Sequence, residues 1–360
     1  MQFCVRELFG FVRALERLRD FVGEFIPEDS IDLSEGDQFE VSCKGELTTG
    51  RVEALGQVGS VGVVLGLDSQ SSRLRFEGVD VYVVTGALVG PRNALVPGLP
   101  NAHWLGLRFR FRANEEALKG LEGEIGGFAL VRSRVLGRVF DGAYNEEAVR
   151  DEVRTEVETR LVEEFRGLGL GDALLMVDGP IFPTPRVLTM SDNPYAELYM
   201  GFIQRRVEAL RGVRAVGVVK RLGQSTYLAK CLGFGVDDDT LVKNQVTRSL
   251  GGGVYTAVVG PITIRVGDYT KYCWYVASRL GNSMSVVRVE ALDRDLAMLG
   301  AVYVARTMGL DGVPIPIRLA DRLARRLNAG ITNLLASLAP LRLTYEGLEE
   351  LNKALRELGG

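Results

Sequence analysis

Two apolar runs of the same form stand out along the chain. Residues 173–177 are all apolar and lead straight into Asp178, with Gly179 and Pro180 directly after. An uninterrupted apolar run of this length predicts a strand buried on both faces. Proline cannot donate to a sheet ladder, so the strand should stop there. Residues 61–68 read Val-Gly-Val-Val-Leu-Gly-Leu-Asp and are followed by Ser-Gln-Ser-Ser, which reads as a turn. Each run therefore places a carboxylate, Asp68 or Asp178, at the C-terminal end of a core strand. If the two strands are parallel neighbours, these carboxylates face one another.

Strand-like patterns continue at 73–77, 79–89, 104–112, 215–220, 254–266, 271–277 and 284–291, with Gly78 and Gly86 marking turns or bulges. Helical periods occupy 5–26, 145–165, 194–210, 225–232, 238–250, 293–308, 317–338 and 343–358. Asp238 or Asp239 is placed to cap the helix at 238–250. Residues 37–55 alternate loosely, as a small β element would. The order of three strands, helix, strand, helix, strand, helices predicts an α/β RNase H-like core. Such a core is a mixed five-stranded sheet with helices on both faces, here with extra N- and C-terminal helices. The expected organisation is a helix and small β element over 1–60, the core domain over 61–338 and an amphipathic helix over 339–360.

Composition narrows the function classes. The chain has 360 residues, 46% hydrophobic and 25% charged, which is ordinary for a soluble globular protein. A net charge of -3 does not advertise nucleic-acid binding, so any basic surface must be local. One candidate is the alternation at 104–112, where Arg108, Arg110 and Arg112 are expected on the solvent face of a half-buried strand. Four cysteines are scattered without a Cys-x-x-Cys pair, and the expectation is buried free thiols rather than zinc ligands or disulfides. A single histidine, His103, excludes mechanisms that need two and reads as structural. There is no signal-peptide pattern and no run long enough to span a bilayer, so the expected location is cytoplasmic. Arginine far outnumbers lysine, and asparagine and glutamine are sparse, a usage that hints at a thermophile.

The chemistry follows from the paired aspartates. Two close carboxylates repel unless a cation or a proton lies between them. Magnesium and manganese are hard ions that take carboxylate oxygens. Two such ions about 3.5–4 Å apart stabilise both the attacking and the leaving oxygens of a phosphodiester. Lys220 ends the strand at 215–220 and would reach the same sheet edge, beside Arg221.

These features together resemble the NurA nucleases of archaea and some bacteria. The resemblance covers roughly residues 61–338. It rests on the strand ending in Asp68, on Arg154 and Glu158 as an Arg-x-x-x-Glu helix, and on Asp178-Gly179-Pro180. It rests further on the strand ending in Lys220, on Arg288-Val289-Glu290, and on the Gly-x-Pro-x-Pro segment from Gly312 that leads to Asp321. The family's Asp-Gly-Ser after the first strand is Asp68-Ser69-Gln70 here, its tyrosine is Val313, and its metal-binding histidine is Asp321. The resemblance implies a metal-dependent DNA nuclease, a 5'-3' exonuclease or single-strand endonuclease. Mn2+, or Mg2+, would be held at a two-metal site by Asp68, Glu158, Asp178 and Asp321, with Lys220 catalytic. Glu156 competes with Glu158 for the helix position, and Arg108, Arg110, Arg112 and Arg221 would contact DNA. It also implies a homodimer working with a HerA-type hexameric ATPase to resect DNA ends in recombination repair, away from any membrane. No Gly-x-x-x-x-Gly-Lys-(Ser/Thr) motif is present, so translocation would come from that partner. The alternative is a catalytically weak or inactive RNase H-like adaptor that guides DNA, with Asp321 paired to its neighbouring arginines.

Overall fold

The structure is a computed structural model. It describes residues 2–18, 34–35, 39–43, 47–55, 59–111, 115–184, 190–191, 194–281, 283–309 and 311–359. The N-terminal part holds α1 (Gln2–Leu18), β1 (Ser34–Glu35), β2 (Phe39–Ser42) and β3 (Thr48–Arg51). Next come β4 (Val63–Phe76), β5 (Val79–Val89), β6 (Ala94–Val96), β7 (Leu105–Phe109), α2 (Glu115–Ile125), β8 (Ala129–Leu130) and α3 (Glu146–Gly167). The middle of the chain holds β9 (Ala173–Asp178), β10 (Met190–Ser191), α4 (Ala196–Ala209), β11 (Ala215–Val219), α5 (Tyr227–Leu232) and α6 (Asp238–Leu250). It closes with β12 (Tyr255–Val266), β13 (Tyr269–Leu280), β14 (Ser283–Ala291), α7 (Arg294–Thr307), α8 (Ile315–Leu338) and α9 (Tyr345–Gly359).

One large mixed sheet runs β2-β12-β13-β14-β11-β9-β4-β5-β7-β8, with β3 added to β12 and β6 to β5. At its centre lies the RNase H-like arrangement. β4 is flanked on one side by antiparallel β5 and then β7, and on the other by parallel β9 and then β11. The meander β12-β13-β14 extends the sheet beyond β11, so the five-stranded core is the middle of a wider sheet.

Side-chain parity decides what each face can hold. In β9, Leu174 and Met176 pack with Val216 and Val218 of β11 and with Ala297, Ala301 and Val304 of α7 and Ile317 of α8. Leu175 and Val177 join the other core, which includes Val153, Val157 and Leu161 of α3. Alternation therefore puts the even-numbered residues of β9 under α7 and α8 and the odd-numbered ones under α3. Helix α8 lies close against β4 at Gly66, where any Cβ would collide with the Pro316 backbone. Helix α3 lies as close to Gly86, where a Cβ would meet Leu161 and Val157 at 2.6 and 2.7 Å. Gly86 thus serves helix packing and marks no turn, whereas Gly78, at φ 81, does close the β4–β5 hairpin.

Several expectations change. Residues 69–72 are not a turn, because β4 runs on to Phe76, paired to β5 throughout. The serine-rich half stays in the sheet because α8 covers it with polar groups. Asn328 Nδ2 donates to the Gln70 and Val83 carbonyls at 3.1 and 3.0 Å, and the Ser72 and Thr332 hydroxyls lie 2.6 Å apart. The cap of α6 is Asp237, which accepts from Thr240 N at 2.9 Å. Asp238 is instead buried and accepts from the Tyr227 and Ala229 amides at 3.0 and 3.1 Å, closing the start of α5 from a distance. Cys43 and Cys231 are joined by a disulfide across 188 residues, contrary to the expected free thiols, while Cys273 is free and buried. Their pairing depends on the fold bringing the end of β2 to α5, which no sequence spacing reveals. Part of the predicted helix 5–26, at 19–26, lies outside the described residues. Among the described residues no helix is long and apolar enough to cross a membrane.

Candidate metal centre

Parallel pairing of β4 with β9 aligns Leu67 with Val177, which sets Asp68 level with Asp178. Both are even-numbered and fall on the face covered by α8. That helix starts at Ile315, with Pro314 at its N-cap, and Pro316 sits in its first turn, where a missing N–H costs nothing. One and a half turns later it delivers Asp321. Carboxylate oxygens of Asp68, Asp178 and Asp321 lie within 4.8 Å of one another. Asp68 is buried and the other two are half-buried. Lys220, one residue beyond β11 and on the same face, donates to Asp178 Oδ2 at 2.6 Å.

Electrostatically the trio is under-compensated. Burial, then the charge of Asp178, pushes the Asp68 carboxyl up to about 9; Arg154 opposes this and Asp321 adds to it. The Ser69 amide donates to Asp68 Oδ1 at 2.7 Å. Three hard oxygen donors gathered where one cannot comfortably ionise make a donor set suited to a divalent cation such as Mn2+ or Mg2+.

The helix glutamates lie elsewhere. Ser69 is odd-numbered and faces α3, where its hydroxyl donates to Glu158 Oε1 at 2.5 Å. Arg154 Nε donates to the same oxygen at 2.7 Å, and Arg206 Nη2 to Glu158 Oε2 at 2.5 Å. Burial would raise the Glu158 carboxyl, but the two guanidiniums overcome it and hold it down to about 2. Glu156 pairs with Arg205 and, at 3.6 Å, with Arg134. Neither glutamate belongs to the carboxylate group, because α3 covers the sheet face opposite α8.

The basic stripe expected on β7 is corrected. Arg108 is buried, donating to the carbonyls of Tyr144 at 2.7 Å and Gly142 at 3.0 Å and pairing with Asp80 at 3.4 Å. Arg110 donates to the Phe76 carbonyl and lies 3.6 Å from Asp80. Asp80 is itself fully buried, and an unpaired charge there would be costly, so the arginines turn inward to it. Arg112 lies outside the described residues. Arg221 is exposed beside Lys220. His103 Nε2 donates to the Gly126 carbonyl at 2.9 Å, and burial lowers its pKa.

A second polar network holds the segment after Asp178. Gly179, at φ 101, makes the bend, and its amide donates to the Val218 carbonyl at 2.9 Å. The chain then crosses β11 at Gly217, where a Cβ would strike residues 179–181. Beyond the crossing, Ile181 N donates to Glu290 Oε2 at 3.0 Å. Lys271 Nζ donates to the same carboxylate oxygen at 2.7 Å and Arg288 Nε to its other oxygen at 2.8 Å, all three side chains buried. The Arg288-x-Glu290 pair was visible as two like-facing residues on one strand. The sequence signal for Lys271 is a lysine inside the apolar run of β13.

The family model for the NurA domain matches residues 62–326, from β4 to just past Asp321. The chain belongs to the NurA family. Among solved structures, the NurA nuclease from Sulfolobus solfataricus is 11% identical, with 81% of this chain and 87% of that chain covered and a TM-score of 0.43. A crystal structure of NurA with manganese is also 11% identical, covering 94% of this chain and 98% of that chain at a TM-score of 0.44. Human ENDOV is 17% identical over 75% of this chain and 85% of that chain, with a TM-score of 0.35. No curated protein matches the chain in sequence. The NurA match ends inside α8, so the family core takes in all three aspartates and Lys220.

Proposed function

We propose that this NurA protein is a metal-dependent deoxyribonuclease that cuts DNA phosphodiesters at the Asp68–Asp178–Asp321 cluster. The observation that carries the reading is the convergence of three carboxylates from β4, β9 and α8 within 4.8 Å on one sheet face. Bound Mn2+ or Mg2+, as one ion or as a pair, would neutralise charge on the phosphate and lower the pKa of an attacking water. The three aspartates hold the cation. Lys220 orients Asp178 and reaches toward the phosphate. Glu158 acts from the opposite face: it fixes Ser69 and Arg154 and so holds the β4 backbone whose amide binds Asp68. Among the described residues, Arg221 is the one exposed arginine of the predicted DNA contacts.

In this reading the protein resects DNA ends in recombination repair with a HerA-type hexameric ATPase. It acts as a homodimer in the cytoplasm. The apolar face of α1 is spent inside the subunit, on Leu8, Phe11, Val12 and Leu15, which leaves α9, with exposed Leu348, Leu355 and Leu358, as the better dimer surface. The adaptor reading draws on one contact, Arg325 Nε donating to Asp321 Oδ1 at 2.8 Å. That bond occupies one oxygen and leaves the other for a cation. The deciding experiment is cleavage of end-labelled single- and double-stranded DNA in manganese, in magnesium and in chelator, by wild type and Asp178→Asn. Metal-dependent cutting lost in the variant supports the nuclease; DNA binding with no cutting in either metal supports the adaptor.

A further inference from the structure

The strands that carry Asp178 and lead to Lys220 are parallel neighbours, and the segments that leave them both reach the buried polar network on β13 and β14. Val287 and Val289 lie in the cluster under α7, so Arg288 and Glu290 take the other face of the sheet, opposite the candidate metal centre. Glu290 is level with Gly217, where the chain after Asp178 crosses. We propose that Glu290, Lys271 and Arg288 are positioning residues for the candidate metal centre. From the far face of the sheet they clamp the segments after Asp178 and after Lys220 to one carboxylate, and so fix that pair for metal and phosphate. The inference rests on the nuclease reading above.

The first arm grips the chain beyond Asp178. Glu290 Oε2 accepts from Ile181 N at 3.0 Å, and Lys271 Nζ donates to the Phe182 carbonyl at 3.3 Å and to Thr184 Oγ1 at 3.4 Å. The second arm grips the chain beyond Lys220. Arg288 Nη1 donates to Ser225 Oγ at 2.6 Å, and its guanidinium lies over the Tyr227 ring at 4.6 Å. Asp238 holds the same segment, accepting from Ser225 Oγ at 2.5 Å and from the Tyr227 amide at 3.0 Å. Glu290 joins the arms, because it takes Lys271 on one oxygen at 2.7 Å and Arg288 on the other at 2.8 Å. The two segments also touch directly, with the Thr184 and Tyr227 hydroxyls 3.1 Å apart.

Stability alone does not account for this arrangement. Lys271, Glu290 and Asp238 are fully buried and Arg288 nearly so. Burial alone would raise the Glu290 carboxyl, but Lys271 and Arg288 hold it below its ordinary range, so it stays charged. Replacing buried ions with well-packed apolar residues of similar volume is often neutral or stabilising. What the charges add is direction, since each bond to the two segments fixes a donor and an acceptor that apolar packing would leave free to slide. Ile181 is three residues from Asp178, and Ser225 five from Lys220. The 2.6 Å bond from Lys220 to Asp178 therefore depends on both segments being held to the same carboxylate. Groups that hold metal ligands from behind change metal affinity or activity by about 10- to 100-fold when removed.

The test compares wild type with two variants, Lys271→Met/Arg288→Met/Glu290→Leu and Ser225→Ala. The triple variant removes its three charges together, and Asp238 keeps its bonds from the Tyr227 and Ala229 amides and the Tyr275 hydroxyl. Its melting should stay near wild type. Backbone hydrogen exchange in chelator should quicken by about 10- to 100-fold at 181–182 and 225–229 and stay unchanged in α3 and β5. Manganese affinity, read by calorimetry, should fall by about 10- to 100-fold, and kcat for DNA cleavage by a similar factor with KM near wild type. Ser225→Ala should loosen 225–229 alone and weaken manganese binding by about 3- to 10-fold. Wild-type exchange in the triple variant overturns the proposal. So does faster exchange with wild-type manganese affinity, since the network would then serve the fold alone. If the triple variant does not fold, Ser225→Ala decides by the same two readings. A wild type that binds no manganese sinks the nuclease reading, and exchange alone then decides whether the two segments are clamped.

Discussion

Replacing Asp68 by asparagine should make the metal-free protein more stable and the metal-loaded protein less so. The side chain is 3% exposed, and burial together with Asp178 pushes its carboxyl up to about 9. An unfolded aspartate titrates near 3.9. The folded state therefore holds a proton that the unfolded state releases. The associated stability is full below pH 4 and is lost as pH rises toward 9. At pH 7 the difference of about three pH units sets a ceiling of about 4 kcal/mol. Asparagine keeps the amide contact from Ser69 and removes the charge. Water entry and side-chain rearrangement in the chelated wild type would take up part of the ceiling, which leaves an expected gain of about 1–3 kcal/mol. Over 360 residues this corresponds to a rise in Tm of about 1–4 °C. In manganese at one thousand times Kd, the wild type gains about 4.1 kcal/mol that the variant lacks, and the order reverses. Differential scanning calorimetry of both proteins from pH 5 to 9, with chelator and with manganese, reads all of this. A variant that melts below wild type in chelator, or that gains as much from manganese, refutes the reasoning.

Other positions make separate claims. Gly66→Val should place a branched side chain where the Pro316 backbone lies, destabilise the fold by about 2–4 kcal/mol in urea, and abolish manganese-dependent cleavage by lifting Asp321 away. Glu290→Gln should cost about 3–5 kcal/mol in the same assay, because Lys271 and Arg288 would be left as buried cations without their carboxylate; Glu290→Gln combined with Lys271→Met should recover part of the loss. Asp321→His should lower magnesium-supported cleavage more than manganese-supported cleavage, since a neutral nitrogen ligand suits the harder ion less. Equal losses in the two metals would remove Asp321 from the ligand set.

How much of this was legible depended on how local each signal was. The β9 run and its Asp-Gly-Pro ending could be read directly, because apolar residues on both faces and a proline stop are properties of the segment itself. Placing Asp68 beside Asp178 needed only the assumption of parallel neighbours, and the β4–β9 register has that alignment. The length of β4 was not legible. Its serines look like a turn until Asn328 and Thr332 of α8, more than 250 residues away, supply partners. Arg108 misled for a similar reason: alternation correctly gave a strand, but the buried Asp80 on the neighbouring strand pulls the arginine inward. Helix α2 was missed because Gly120 and Gly123 dilute a stripe that Leu118, Leu121 and Ile125 complete only once buried. The glutamate on α3 could not be placed from helix phase, since what decides is which sheet face α3 covers.

The most direct test is anomalous diffraction from crystals soaked in manganese. The account predicts a manganese peak at about 2 Å from oxygens of Asp68, Asp178 and Asp321, with Arg325 still holding the other Asp321 oxygen and no peak at Glu156 or Glu158. Crystals of active-pH protein with the three carboxylates still clustered and no manganese between them would contradict it.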